Sequence, residues 1–377
     1  MTRRDEEPAG TAPHLELRAL LRELVPRHRA RWGSAGEWDA LVDFQRQLSA
    51  HGWTAPAWPV ERGGKGLDVE EQIRCEAELR RAGAPMRVAV FGVNNVGPTI
   101  MAAGRPDQQH HVEAIARVDE LWCQGFSEPD AGSDLAGLRC RAEPDGDDFV
   151  VNGTKVWTSI GVHATHCMLL ARTDPDAAKH RGISALLVPL DLDGVERRPI
   201  RQIDGAADFA EVRFTDVRVP QAALLGPLHG GWRVTMTTLG FERAGVLAIA
   251  GQLEELVDAW IRGTDLSDDP VRRDRAVALW SRARIMGWTG ERSLAAARRG
   301  VVDVSGALIK LAWSELDREV GDAMADALGP TALLTGGDEV AHLLRSRSST
   351  IAGGTTEVNK NILGERGLGL PKEPASA

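Results

Sequence analysis

The sequence predicts a multidomain α+β protein in which a helical N-terminal domain, a central β domain and a helical C-terminal domain follow one another along the chain. Two observations carry this. Apolar residues recur at helical spacing over residues 15–118 and again from 230 onward. Between them, over 121–225, short apolar runs are separated by turn residues in the manner of strands. At 377 residues the chain also exceeds what one hydrophobic core sustains. The domain limits that follow are 1–120, 121–226 and 227–377.

In the first domain, "LRALLREL" and "EWDALVDFQRQLSAHGW" repeat apolar residues every three or four positions, and the Pro/Gly clusters "APAWPVERGGKG" and "GAPMR" divide the region into several helices. In the second, "DFVVNGTKVWTS", "HCMLLART", "GISALLVPL" and "EVRFTDVRVP" read as members of a set of five to eight strands. Asn152-Gly153 lies between two alternating runs, which reads as a hairpin turn because both turn positions need positive φ. In the third, long helical patterns return and end at the stop Gly329-Pro330.

Composition excludes several function classes. The formal net charge is −9 and there is no long basic run, so nucleic acid and anionic membrane surfaces are not expected partners. No apolar stretch reaches the length of a membrane span. The N-terminus "MTRRDEEPAG" precedes no signal-like apolar region, so a cytoplasmic protein is expected. Cys75, Cys123, Cys140 and Cys167 are scattered without a CxxC pair, so neither a disulfide framework nor a metal site is expected from them.

Three stretches carry candidate chemistry. On the first helix after the β region, Trp232, Thr235, Leu239, Glu242, Val246 and Ile249 share one face at steps of three and four. Glu242 is the misfit there. Such a carboxylate is paired with another helix, exposed at a helix crossing, or kept for a reaction, and a half-buried one has the raised pKa that suits a general base. The stretch "WCQGFSEPDAGSDLAGL" delivers Phe126 and Ser127 into a loop with Gly132, Ser133 and Gly137, where backbone amides and hydroxyls can approach a ligand. It matches neither GxGxxG nor a P-loop. Trp157-Thr158-Ser159 closes the following strand; taken alone, a Trp there reads as core. Near the C-terminus, "IAGGTTEVNK" leads into a helix that Thr355 or Thr356 would cap.

Together these pieces resemble the acyl-CoA dehydrogenase family, over nearly the whole chain. "GFSEPDAGSDLAGL", "NGTKVWTS", "WPVERGGKG" and "GGTTEV" are similar to its motifs and stand in its order. The resemblance implies an N-terminal helical domain, a central β-barrel or sandwich and a C-terminal four-helix bundle. It further implies FAD-dependent α,β-dehydrogenation of an acyl-CoA thioester, a carboxylate removing the α-proton and flavin N5 taking the β-hydride. Phe126, Ser127, Gly132, Ser133, Trp157, Thr158, Ser159, Thr355, Thr356 and Glu357 would then meet the cofactor, and Ser133, Arg243 and Gly353 the substrate.

The departures from the pattern narrow the comparison. Where the short- and medium-chain branches carry their base before a Gly-Thr, this chain has Gly353, which has no carboxylate. The isovaleryl and long-chain branches place the base on the first C-terminal-domain helix before an Arg, and Glu242 in "LGFERAG" matches that position. The Arg-x-x-Phe-Gly and Gln-Gly flavin contacts of the family are replaced by "LSDDPVRRDRAV" and "DALGPTALL", which resembles the actinobacterial dehydrogenases of sterol side-chain breakdown. The implied partners are an electron-transfer flavoprotein and either identical copies or a related chain in a heterotetramer. Two alternatives accompany this reading: a non-catalytic subunit of such a complex, and an oxygen-using oxidase of the same fold.

Overall fold

The structure is a computed structural model and describes residues 12–33, 36–299, 304–334 and 336–372; the side chains of 242–250, 294, 297 and 298 lie outside the described set. The chain divides into two units. The first runs to Asp130 and takes in Ala136–Pro199 and Asp208–Phe241; the second holds Ala131–Leu135, Ile200–Ala207 and the chain from Glu242.

The first unit opens with helices α1 (Pro13–Trp32), α2 (Trp38–Ser49), α3 (Val69–Arg81), α4 (Gly97–Ala103) and α5 (His110–Arg117). Helix α1 starts with Pro at its first turn and buries Leu17, Leu21, Leu24 and Val25, one stripe at helical spacing. These pack with Phe44 and Leu48 of α2 and Cys75 of α3 in one cluster. Asp68 caps α3 by accepting from the Glu71 amide at 2.9 Å. Buried Glu78 is answered by the Arg18 fork at 2.7 and 2.8 Å.

Strands β1 (Trp122–Gly125), β2 (Arg141–Asp145), β3 (Asp148–Ser159), β4 (His166–Arg172), β5 (Ile183–Pro189), β6 (Val195–Ile200), β7 (Phe209–Pro220) and β8 (Leu224–Leu225) follow. They form one sheet in the order β6-β7-β3-β2-β4-β5-β8, with β1 parallel to β4. Residues of β3 and β7 (Phe149, Val151, Val212, Phe214) share a single buried cluster with residues of β4 and β5 (Cys167, Leu169, Leu186, Val188). Strands are about 4.8 Å apart, so sharing a core over that many strands requires the sheet to curl over itself.

One expectation is overturned. Asn152-Gly153 is no hairpin turn; β3 runs straight through it. The β2–β3 hairpin turns instead at Gly146-Asp147, where Gly146 alone of the two has positive φ, the II′ pattern. Gly153 faces a bulge in β7, where Asp216 takes φ 50° and exchanges hydrogen bonds with the Asn152 side chain at 2.9 and 3.0 Å. Glycine is required here by close approach: a β carbon on Gly153 would lie 2.6 Å from Cys140 Cα.

In the second unit, the later turns of α6 (Gly231–Gly263) pack against α7 (Pro270–Arg298) and α8 (Ser305–Leu328). Leu253, Val257 and Trp260 meet Leu279, Ala283 and Met286, and Ile309, Leu316 and Val320 complete the core. Helices α9 (Asp338–Ser346) and α10 (Thr356–Ile362) lie on α8. Gly321 admits α9: a β carbon there would stand 2.9 Å from Ser346 Oγ.

Candidate functional site

The first cluster is built where the loop after β1 meets β3. The Val156 amide donates to the Ser127 carbonyl at 3.0 Å, and Lys155 Nζ donates to the Phe126 carbonyl at 3.1 Å. Phe126 and Ser127 therefore lie directly beside the Trp157 segment, both half-buried. The geometry is pinned by a pair that the sequence reasoning missed. Lys155 is fully buried and donates to Glu128 Oε1 at 2.7 Å, while the same carboxylate accepts from the Arg139 and Cys140 amides at 2.6 and 2.9 Å. Glu128 thus ties together both ends of the Gly132/Ser133 loop, and Gly132 and Ser133 are left exposed between them. A signal was available: with Phe149 and Val151 facing inward, the period of two puts Lys155 on the core face, which a lysine takes only when paired.

The same period would also bury Trp157. A bulge between Lys155 and Thr158 reverses the alternation, so Thr158 is buried at 1% exposure and Trp157 is 59% exposed. Trp157 takes φ 57°, the left-handed region, and touches Phe209 edge-on with centroids 6.0 Å apart. A bulky residue in that conformation costs energy, of order 1–2 kcal/mol, and gains no burial here to offset it. Thr158 Oγ1 is buried without a hydrogen-bond partner among the described residues, and Ser159 is half-buried.

In the second unit, Gly353 and Gly354 take φ 65° and 93° and turn the chain into α10. Thr355 caps that helix, its Oγ1 accepting from the Val358 amide at 3.2 Å. Neighbouring amides are used within the chain as well: Thr356 N–H donates to the Thr350 carbonyl and Asn359 N–H to the Thr355 carbonyl. The backbone amide beside it and the Thr355 hydroxyl hold the Glu357 carboxyl below its usual range. What remains to meet a ligand is side-chain chemistry. Thr355, Thr356 and Glu357 line a cavity of about 290 Å³ with Glu315, Arg318 and Thr350, and Thr356 Oγ1 has no partner among the described residues.

Glu242 and Arg243 lie on α6, but their side chains are outside the described residues. Earlier on that helix the buried face is Val234, Thr235 and Thr238, while Trp232 and Leu239 are half-buried, so the stripe read from the sequence is rotated at its start. The threonines bond back to Gly231 and Val234 carbonyls, and Thr238 also meets Thr99 of α4 at 3.0 Å. Trp232 lines a second cavity of about 410 Å³ in the first unit, with His180, Arg181, Leu228, His229 and Arg233.

Comparison with known proteins follows the same division. Residues 13–117, 123–217 and 229–368 match the acyl-CoA dehydrogenase N-terminal, middle and C-terminal domains. The acyl-CoA dehydrogenase IpdE1 of Mycobacterium tuberculosis is 42% identical over 343 residues, 88% of each chain. FadE26 of the same organism is 35% identical over 90% of each. Among solved structures, the Tcur3481-Tcur3483 steroid ACAD superposes with a TM-score of 0.84 at 31% identity, covering 98% of this chain and 99% of that one. The ChsE4-ChsE5 complex from Mycobacterium tuberculosis gives 0.81 at 31%, covering 98% and 100%. With three domain matches spanning most of its length, the chain belongs to the acyl-CoA dehydrogenase family, enzymes that use FAD.

Proposed function

We propose that this chain catalyses α,β-dehydrogenation of an acyl-CoA thioester with a bulky, steroid-type acyl group, with Glu242 as the base. The observation that carries the reading is Trp157, held out at 59% exposure in a left-handed conformation with no gain in core burial. An aromatic face kept open at such a cost suits a ligand with a planar ring. The orphan hydroxyls of Thr158 and Thr356 fit residues whose partner is a bound cofactor. On these grounds the residues of each unit, taken by itself, fit contacts to FAD: Phe126, Ser127, Trp157, Thr158 and Ser159 in the first, and Gly132, Ser133, Thr355, Thr356 and Glu357 in the second. When bound, FAD supplies the acceptor for the β-hydride.

The chain's own part follows from the acidity of the substrate. A C–H beside a thioester loses its proton only to a positioned base while the carbonyl oxygen gains hydrogen bonds. Glu242 takes the α-proton on its carboxylate. Gly353, which has no side chain to act as base, donates its backbone N–H to the thioester oxygen, and Arg243 and Ser133 hold the substrate. The phosphates of CoA are suited to the cavity that Arg181 and Arg233 line. Electrons pass onward to an electron-transfer flavoprotein.

Domain limits of 1–120, 121–226 and 227–377 are supported by α5 ending at Arg117 before β1 starts at Trp122, and by β8 ending at Leu225 before α6 starts at Gly231. Assembly with a related chain is supported by Ile285 and Trp288 of α7, each more than half exposed, and by the two-chain names of the steroid ACAD and the ChsE4-ChsE5 complex.

The test is flavin bleaching under anaerobic conditions with straight, branched and steroidal acyl-CoAs. The steroidal thioester is expected to bleach fastest. Glu242→Gln is expected to keep its flavin and bleach about 10²–10⁴-fold more slowly. Near-native bleaching by that variant removes Glu242 as base. A chain that binds flavin only after mixing with a partner chain identifies it as one half of a heteromer.

A further inference from the structure

Away from these residues, three histidines gather around one carboxylate where α5 meets the start of β1. His110 and His111 open α5, Glu120 stands two residues before β1, and His166 opens β4. Glu120 accepts from Trp122 Nε1 at 3.0 Å and from His111 Nδ1 at 2.8 and 3.0 Å, and His166 Nε2 lies 3.9 Å away. The His110 and His111 rings lie with centroids 4.0 Å apart, tilted by 36°. Each of His110, His111 and Glu120 offers a ligand atom within 4.8 Å of the other two.

A hydrogen bond fixes the His110 tautomer. His110 Nδ1 lies 2.7 Å from the Asp107 carbonyl, which only accepts, so Nδ1 carries the proton and Nε2 keeps its lone pair. His111 Nδ1 lies 3.0 and 2.8 Å from the two Glu120 oxygens, so a shared ion would replace the proton between them, with the His111 proton moving to Nε2. An imidazole oriented through its other ring nitrogen by a carbonyl, as His110 is by Asp107, is the arrangement that metal-ligating histidines adopt.

We propose that His110, His111 and Glu120 form a binding site for one divalent transition-metal ion of the zinc or nickel class. Two imidazoles and a carboxylate suit such borderline ions, and the nitrogen donors disfavour Mg²⁺ and Ca²⁺. Bonds of about 2.0–2.1 Å bring tetrahedral ligand atoms to about 3.3–3.5 Å of one another, so closure needs side-chain rotation of roughly an ångström. His110 is exposed and free to make it. Water or His166 completes the coordination. The ion would join the start of α5 to the segment entering β1, stapling helices to sheet within the first unit, remote in role from the proposed dehydrogenation.

Tag-free holoprotein, stripped with a chelator and dialysed, is titrated with Zn²⁺ against a chromophoric competitor. One equivalent is expected to bind in the micromolar range or tighter and to raise the melting temperature. X-ray absorption at the zinc edge is expected to show nitrogen neighbours at about 2.0–2.1 Å with imidazole scattering. His110→Ala leaves the Glu120–His111–Trp122 contacts intact and is expected to weaken Zn²⁺ at least tenfold without changing flavin content or acyl-CoA bleaching. His111→Ala is expected to weaken it at least as much. Absence of stoichiometric binding overturns the proposal, and so does binding that survives both variants, since the ion would then sit elsewhere.

Discussion

Lys155 Nζ lies 2.7 Å from Glu128 Oε1, with the lysine fully buried and the carboxylate 8% exposed. The pair satisfies more than itself, because Glu128 also accepts from the Arg139 and Cys140 amides and Lys155 also donates to the Phe126 carbonyl. Removing one partner strands a buried charge, so Lys155→Met is expected to cost about 3–5 kcal/mol in urea unfolding. Adding Glu128→Leu is not expected to restore stability, since it orphans two backbone amides. Full recovery in the double variant would show that the ion pair alone mattered.

Trp157 is expected to matter to ligand and little to folding. Its burial is small and its backbone is in the left-handed region, so in flavin-free protein Trp157→Ala is expected to change stability by less than about 1 kcal/mol. The same variant is expected to lose flavin absorbance on gel filtration. A drop of several kcal/mol in the flavin-free form would mark Trp157 as structural instead.

Gly153→Ala puts a β carbon 2.6 Å from Cys140 Cα and 2.7 Å from its Cβ. One of the contacts is backbone of the segment leading into β2, so the chain entering the sheet must shift. The expected loss is about 1–3 kcal/mol, read from the denaturation midpoint. Asn152→Ala removes the bonds that close the opposite bulge, and a further loss of about 1 kcal/mol is expected.

Stability is expected to fall as pH drops below about 6.5. Burial is the leading cause that lowers the pKa values of His28, His163 and His166; Asp43 opposes it at His28, and Arg197 adds to it at His163. A depressed folded pKa means that the unfolded chain binds protons the native state refuses. The contribution of each neutral imidazole is therefore full above the unfolded value near 6.5 and is lost as pH falls towards the folded one. Each such proton contributes a slope of up to about 1.4 kcal/mol per pH unit. Urea midpoints between pH 5 and 8 measure it, and a flat profile would contradict the assignment. Glu78 and Glu120 have lowered pKa values, and their contribution is lost only further down, below about 4.5.

The helix–sheet–helix order was legible because each region has its own apolar period, and periodicity reports local geometry. Family motifs were legible as well, since they are contiguous. The errors have one kind of cause. Asn152-Gly153 carries a strong local turn signal, yet pairing of β3 with β7 keeps it in a strand, and the glycine answers to Cys140 just before β2. On α6, Thr235 is buried as its place in the stripe requires, but Trp232 and Leu239 are half-buried and Val234 and Thr238 join the buried face, where Thr238 meets Thr99 of α4. Glu242, which that stripe singled out, keeps its role as a proposal.

By itself the sequence determined the order of the domains, the family and the short segments where chemistry is sought, all of which depend on residues near one another in the chain. Only the tertiary structure decided which way Trp157 points, what Lys155 and Glu128 do for each other, and that His110, His111 and Glu120 converge. A one-residue bulge reverses every side chain beyond it, a buried charge is stable only beside its partner, and ligand atoms meet only where helix and strand ends pack together. None of these is written in local spacing.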